Sequence, residues 1–265
     1  MNIMKEKIIS ALILSAACLP LASAQAQIDK TTGINPPEAL QHEAMADKVG
    51  NEVGFTSLFN GKDLTGWEGA PDLWSVQDGV ITGQTTTEHP AKENTFLIWT
   101  NGVVGDFELS CEFKLTPGDS AGFANSGVQF RSKVVKPSYW VVAGYQADME
   151  AGPNYTGNLY EEKGRGTVDS RGQKVILQPG GKIKVVGMIG NPAEIEASIK
   201  KDGWNKYVII AKGNHIIEIL NGHKTVDLTD EDEAHAAKSG VLALQIHAGH
   251  PMMAQFKDIR IKMLP

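Results

Sequence analysis

The chain is poor in cysteine, in clustered positive charge and in long apolar runs. Its two cysteines are Cys18 and Cys111, and Cys18 lies in an N-terminal segment built like an export leader. A domain left with Cys111 alone cannot close an internal disulfide, so packing must supply its stability. No cluster of five or more Lys and Arg occurs, and the net charge is −6. This argues against a nucleic-acid partner, since phosphate backbones call for concentrated positive charge. The apolar run from Ile8 to Leu21 has 14 residues, too few to span a bilayer, and nothing after it could cross a membrane. His-Glu-x-x-His, a nucleophile elbow, a phosphate loop and a dinucleotide fingerprint are all missing.

What is present at the N-terminus is Lys5 and Lys7, the apolar run, and small-x-small pairs at Ala22-Ser23-Ala24 and Ala24-Gln25-Ala26. This pattern predicts a signal peptide over residues 1–26 and an exported protein, periplasmic or secreted. Cys18 sits one place off the lipobox spacing from Leu14, so lipid anchoring is the lesser alternative. Residues 27–51 read as an arm or a short helix starting near Asn35-Pro36-Pro37-Glu38.

From residue 52 to residue 265 the texture is that of one all-β domain. Short alternating segments are separated by Gly, Asn, Asp and Pro, and Asp78-Gly79 and Asn221-Gly222 mark tight hairpins. Phe107, Leu109, Cys111 and Phe113 alternate with Glu108, Ser110 and Glu112, which makes Cys111 a core residue. Gly127–Arg131, Val141–Asp148, Gly181–Ile189, Glu194–Ile199, Trp204–Ala211, Ile216–Leu220, Val241–Ala248 and Ala254–Met263 continue the series, and Asp230–Lys238 reads as one short helix. Helices able to cover a parallel sheet are missing, so the expected fold is a sandwich of two antiparallel sheets.

Strand alternation also nominates a site. Gln129 and Arg131 share one phase, as do Gln146 and Asp148, and Gln245 and His247. Amides, a guanidinium, a carboxylate and an imidazole on strand interiors suit ligand recognition better than simple solvation. In Tyr160-Glu161-Glu162, Tyr160 and Glu162 share a phase and Glu161 takes the other; Glu161 is the candidate acid or base at a groove edge, or else a surface carboxylate. Arg165 and Arg171 stand near enough to neutralise such carboxylates. Trp67, Trp74 and Trp140 could stack on a sugar ring. His247 and His250 with Asp148 or Glu161 could hold a divalent ion, calcium or a transition metal, though no spacing motif names one. A conventional glycosidase would instead use two carboxylates, Glu112 with Glu161 or Asp148.

Several segments, in order, resemble the 3-keto-disaccharide hydrolase domain family. They are Gly54–Trp67, Asn125–Ser132, Gly144–Asp148, Gly157–Glu162, Leu244–Gly249 and Phe256–Lys262. The resemblance covers residues 53–264 and implies a concanavalin A-like jelly-roll sandwich acting on carbohydrate. It implies cleavage of glycosides oxidised at carbon 3: a base removes the carbon-2 proton, and the enolate expels the group on carbon 1. His247 would serve as base or donor, with Asp148 or Glu161 as counterpart. Arg131 or a divalent ion would stabilise the enolate, and Gln129, Gln146 and Gln245 would orient hydroxyls. A non-catalytic carbohydrate-binding module and an ordinary glycoside hydrolase remain the alternatives.

Overall fold

The computed structural model describes residues 53–265. The expected leader, Cys18, the cleavage near Ala26 and the arm to residue 51 lie outside the described residues. The strands in chain order are β1 (Thr56–Ser57), β2 (Trp67–Glu68), β3 (Trp74–Gln77), β4 (Val80–Thr85), β5 (Thr95–Trp99), β6 (Phe107–Pro117), β7 (Asn125–Lys136), β8 (Val141–Glu150) and β9 (Leu159–Glu162). They continue as β10 (Gly166–Asp169), β11 (Gln173–Gln178), β12 (Lys182–Met188), β13 (Asn205–Lys212), β14 (His215–Leu220), β15 (His223–Asp230), β16 (Val241–Ile246) and β17 (Met252–Met263).

These form two sheets. The ten-stranded one runs β12-β11-β15-β14-β13-β6-β17-β4-β3, with β1 paired to β17; the seven-stranded one runs β10-β9-β8-β7-β16-β5-β2. All pairings within them are antiparallel except β11 with β15. The expected two-sheet, almost all-β sandwich is the fold observed, a jelly-roll-like arrangement. The predicted hairpins form: Asp78-Gly79 joins β3 to β4 and Asn221-Gly222 joins β14 to β15, each pair with positive φ at both turn residues.

The apolar phases meet between the sheets. Phe107, Leu109, Cys111 and Phe113 from β6 face Tyr145, Ala147 and Met149 from β8 in one core cluster. Burial in this apolar setting pushes the Cys111 thiol up to about 12, which makes it inert.

Two local readings change. Residues 192–198 form an α-helix, α1 (Pro192–Ser198), where a strand is predicted. Asn191 caps it by accepting the Ala193 N–H at 3.0 Å, and Pro192 stands at the first helical turn, where its missing N–H costs nothing. Of the expected helix over Asp230–Lys238, Asp230 ends β15 and the rest is irregular chain with a single turn at residues 233–235.

Arg131 also departs from its expected place, and this bears on the site. β7 and β8 slip register between Phe130 and Lys133, and Arg131 takes a positive φ of 49°. A bulge inserts an extra residue and re-aims the side chains around it, so Arg131 leaves the phase of Gln129. Its guanidinium is buried, donating to the carbonyls of Gly105 (2.8 Å) and Gly213 (2.7 Å) and pairing with Asp106 at 2.8 Å. It ties the β5–β6 and β13–β14 connections to the seven-stranded sheet.

Two further acids sit inside. Asp169 is 1% exposed with no side-chain partner for its carboxyl, and Glu218 is fully buried, accepting from the Tyr207 hydroxyl at 2.9 Å. Burial, with the Asp227 charge adding, pushes the Asp169 carboxyl up to about 8, and burial drives Glu218 well above the carboxylate range.

Both kinds of buried group can be tested through stability. Arg131→Met leaves the Gly105 and Gly213 carbonyls without their donor and Asp106 with the Gly213 N–H but no cation, and should cost about 3–5 kcal/mol in urea unfolding. Asp169 has a folded-state pKa above its unfolded value. Its contribution is therefore complete below the unfolded pKa and is lost as pH rises toward about 8. Asp169→Asn cannot ionise, so its melting temperature relative to wild type should climb steadily between acid and mildly alkaline pH. A constant difference would contradict this protonation state.

Candidate functional site

The outer face of the seven-stranded sheet carries a hollow of about 290 Å³ lined by Asn94, Asn125, Gln146, Asp148, Tyr155, Tyr160, Glu162, Thr167, Gln245 and His247. Register explains how β-strand residues reach it. Gln146 stands opposite Gln129 on β7 and Tyr160 on β9, and Asp148 stands opposite Gly127. Directly opposed residues in an antiparallel pair point the same way, so these side chains share one face. Gly127 is required here by space: a Cβ at that position would lie 2.4 Å from Gln146 Cγ.

Asp148 is 5% exposed. It accepts the Met149 N–H at 3.0 Å and amide hydrogens from Asn125 and Gln146, each at 3.4 Å. Burial dominates over these bonds and pushes its carboxyl up to about 7. Near neutral pH it can therefore give or take a proton. His247 has Nδ1 2.5 Å from the Ala248 carbonyl oxygen. A carbonyl only accepts, so Nδ1 carries the hydrogen and the neutral ring keeps its lone pair on Nε2. Phe123 holds the ring edge-on, with centroids 5.4 Å apart. Burial, with Glu162 and Asp148 nearby, raises the Tyr160 hydroxyl, which stays a donor. Glu162 accepts from Gln245 and Asn94, each at 3.4 Å.

Of the residues nominated from sequence, the structure brings Gln146, Asp148, Gln245 and His247 into one hollow. Gln129 lies beneath it, fully buried, donating to Gln146 Oε1 at 2.8 Å. The others stand elsewhere. Arg131 turns into the interior at the bulge. Glu161 pairs with Tyr145 across β8 and β9, on the face opposite Tyr160 and Glu162. Its carboxylate is bound to Arg165, which also holds Asp230 at 2.6 Å. Arg165 thus neutralises these carboxylates, while Arg171 pairs with Glu196 at 2.9 Å. Glu112 is on β6 in the other sheet, paired with Lys257 at 3.2 Å, so it cannot oppose Asp148. Trp140 packs against the cluster of Phe96, Ile98, Val141, Val142 and Ala243 and donates to Glu68 at 3.3 Å. Trp67 and Trp74 are core residues.

Sequence reasoning passed over Asn125, Tyr160 and Glu162 as site residues. Strand phase could have found Asn125, which is in step with Gln129, whereas for Tyr160 and Glu162 it gives a shared phase but not the face that phase takes. Asn94 and Tyr155 come from connections between strands and carry no such signal. Among the described residues no three His, Cys, Asp or Glu side chains converge to hold a metal ion. His250 pairs with Asp119 at 3.0 Å, and Glu161 with Arg165, so neither joins His247 and Asp148 in an ion site.

One solved structure shares the fold, and two others show a weaker likeness. A candidate glycosyl hydrolase from Parabacteroides distasonis is 22% identical, with a TM-score of 0.52, over 85% of this chain and 97% of that one. A second from the same organism has 22% identity, a TM-score of 0.49, and covers 79% and 99%. The carbohydrate-binding module CBM66 from Bacillus subtilis has 15% identity, a TM-score of 0.44, and covers 80% and 97%. At such identities the first likeness shows a common fold, and the weaker two add nothing to it. No curated protein sequence matches the chain. The family comparison is more specific, because its model spans residues 54–262, nearly the whole of the sandwich and every residue lining the hollow. The chain belongs to the 3-keto-alpha-glucoside-1,2-lyase-like domain family.

Proposed function

We propose that this protein, a carbohydrate-acting member of its family, cleaves glycosides that carry a ketone at carbon 3. The observation that carries the reading is the pairing of two proton carriers in one hollow of single-sugar size. Asp148 is held near neutrality, and His247 presents a bare Nε2.

The ketone acidifies the carbon-2 hydrogen. His247 Nε2 takes that proton, and the electrons form the enolate across carbons 2 and 3. The enolate then collapses, breaking the bond from carbon 1 to the leaving oxygen. Protonated Asp148 supplies the proton that oxygen needs. The product is an enone, and addition of water completes net hydrolysis. The enolate oxygen needs a donor, and Arg131 is spent inside the fold. The Tyr160 hydroxyl takes that role, with the amides of Asn125, Gln146 and Gln245 orienting hydroxyls.

Charge narrows the substrate. The lining holds Asp148 and Glu162 but no Lys or Arg. A neutral keto-sugar suits it, whereas a uronate or sugar phosphate would meet repulsion with no counter-ion. Asp148 and Glu162 lining the same hollow also make a two-carboxylate glycosidase the competing chemistry. That enzyme would act on unoxidised glycosides. The leader read over residues 1–26 supports action outside the cytoplasm.

His247→Ala and Asp148→Asn should each lower turnover of a 3-keto-glucoside by about 100-fold or more. Glu161→Gln, outside the hollow, should leave it close to wild type. Rate should fall as pH rises through about 7, where Asp148 loses its proton, and Asp148→Asn should lack that limb. Wild-type rates in both His247→Ala and Asp148→Asn would sink the assignment.

A further inference from the structure

The floor of the hollow is a relay of side-chain amides that starts from a hydroxyl no ligand can reach. Ser132 is 2% exposed and Gln129 is fully buried, and neither lines the hollow. Ser132 Oγ donates to Gln129 Oε1 at 2.7 Å, and Gln129 Nε2 donates to Gln146 Oε1 at 2.8 Å. An amide has one accepting end and one donating end, so fixing either fixes the other. The carbonyl of Gln146 is thereby occupied, and its amino group points to Asp148 Oδ1 at 3.4 Å and Gln245 Oε1 at 3.5 Å. Gln245 passes the same polarity on, donating to Glu162 Oε2 at 3.4 Å. Every donor in the relay points away from Ser132 and toward a carboxylate.

The direction is not forced by Gln129 and Gln146 themselves, since both could flip together. It is set at the two ends, where ionised Asp148 accepts only and the Ser132 hydroxyl gives its hydrogen to Gln129 Oε1. Ser132 has one hydrogen and a second acceptor in reach, the Phe130 carbonyl at 3.1 Å. If the hydroxyl turned there, Gln129 could donate to Ser132, Gln146 could donate to Gln129, and the Gln146 carbonyl would face Asp148. A carbonyl facing Asp148 tolerates only the protonated acid, whose O–H can donate to it.

We propose that Ser132 and Gln129 are positioning residues that keep the Gln146 amino group turned toward Asp148, favouring its carboxylate form and so setting the pH at which this acid changes charge. The catalytic meaning rests on the role given to Asp148 above; the relay itself does not. The other groups around Asp148 are Asn125 on β7, Glu150 on β8, Tyr160 and Glu162 on β9, and His247 after β16. From the opposite sheet Tyr207 on β13 and Glu218 on β14 also act on it. Substitution at 132 or 129 changes none of these.

The test is a carbon-13 titration of the Asp148 carboxyl in the full-length protein labelled at aspartate, with Asp148→Asn identifying the signal. Ser132→Ala removes the orienting hydrogen, and Gln129→Met cuts the middle link. Each should raise the midpoint by about half a pH unit or more. The double variant should move no further than the larger single, because both cut one relay. Midpoints equal to wild type in both singles, or a double shift equal to their sum, would overturn the proposal. If one variant fails to fold by its backbone amide spectrum, the other still decides. The titration needs no turnover. Full activity in Asp148→Asn would remove the acid role given to Asp148 and leave the relay standing; unmoved midpoints would defeat the relay alone.

Discussion

The pleat of β8 sorts this protein's chemistry from its core. Tyr145, Ala147 and Met149 point between the sheets, while Gln146 and Asp148 point into the hollow. A slip of one residue would exchange the two sets, burying the proton carrier in the apolar interior and exposing the core. The pairings to β7 and β9 hold that phase, with Gln146 between Gln129 and Tyr160. Without it the hollow would lose Gln146 and Asp148 together.

The hollow's electrostatics depend on what the fold keeps away. Arg131 is committed to backbone carbonyls and Asp106, and Arg165 to Glu161, Asp230 and Asp232. Neither guanidinium is free to act as a counter-ion for Asp148. Its surroundings are neutral amides and other acids, so burial governs its proton affinity and the amides moderate it. A neutral bed of this kind changes a carboxyl's titration gradually, through hydrogen-bond direction, where a nearby Lys or Arg would have locked it ionised.

The sandwich was legible in sequence because its signals are local. Alternation on β6 and the Asp-Gly and Asn-Gly turns each need only a few residues. Gln146 with Asp148 and Gln245 with His247 were legible for the same reason, since each pair lies on an uninterrupted strand. Arg131 was not, because the bulge after Phe130 breaks the alternation and a positive φ at arginine has no marker in composition. Glu161 and Glu162 were separable only by knowing that Tyr160 faces Gln146 across two strands, a register that one segment cannot reveal. The short helix at Pro192 was masked by its Ile and Glu residues, although the Asn-Pro start is a capping signature. Asn94 and Tyr155 arrive from loops, where chain path and not periodicity decides what meets.

The most direct measurement uses matched substrates: a glucoside, its 3-keto counterpart, and that counterpart carrying deuterium at carbon 2. Proton abstraction by His247 next to an acid at Asp148 requires cleavage of the 3-keto compound only, slowed by the deuterium or accompanied by its loss to solvent. Equal cleavage of the unoxidised glucoside, with deuterium retained at carbon 2 in the product, would contradict it.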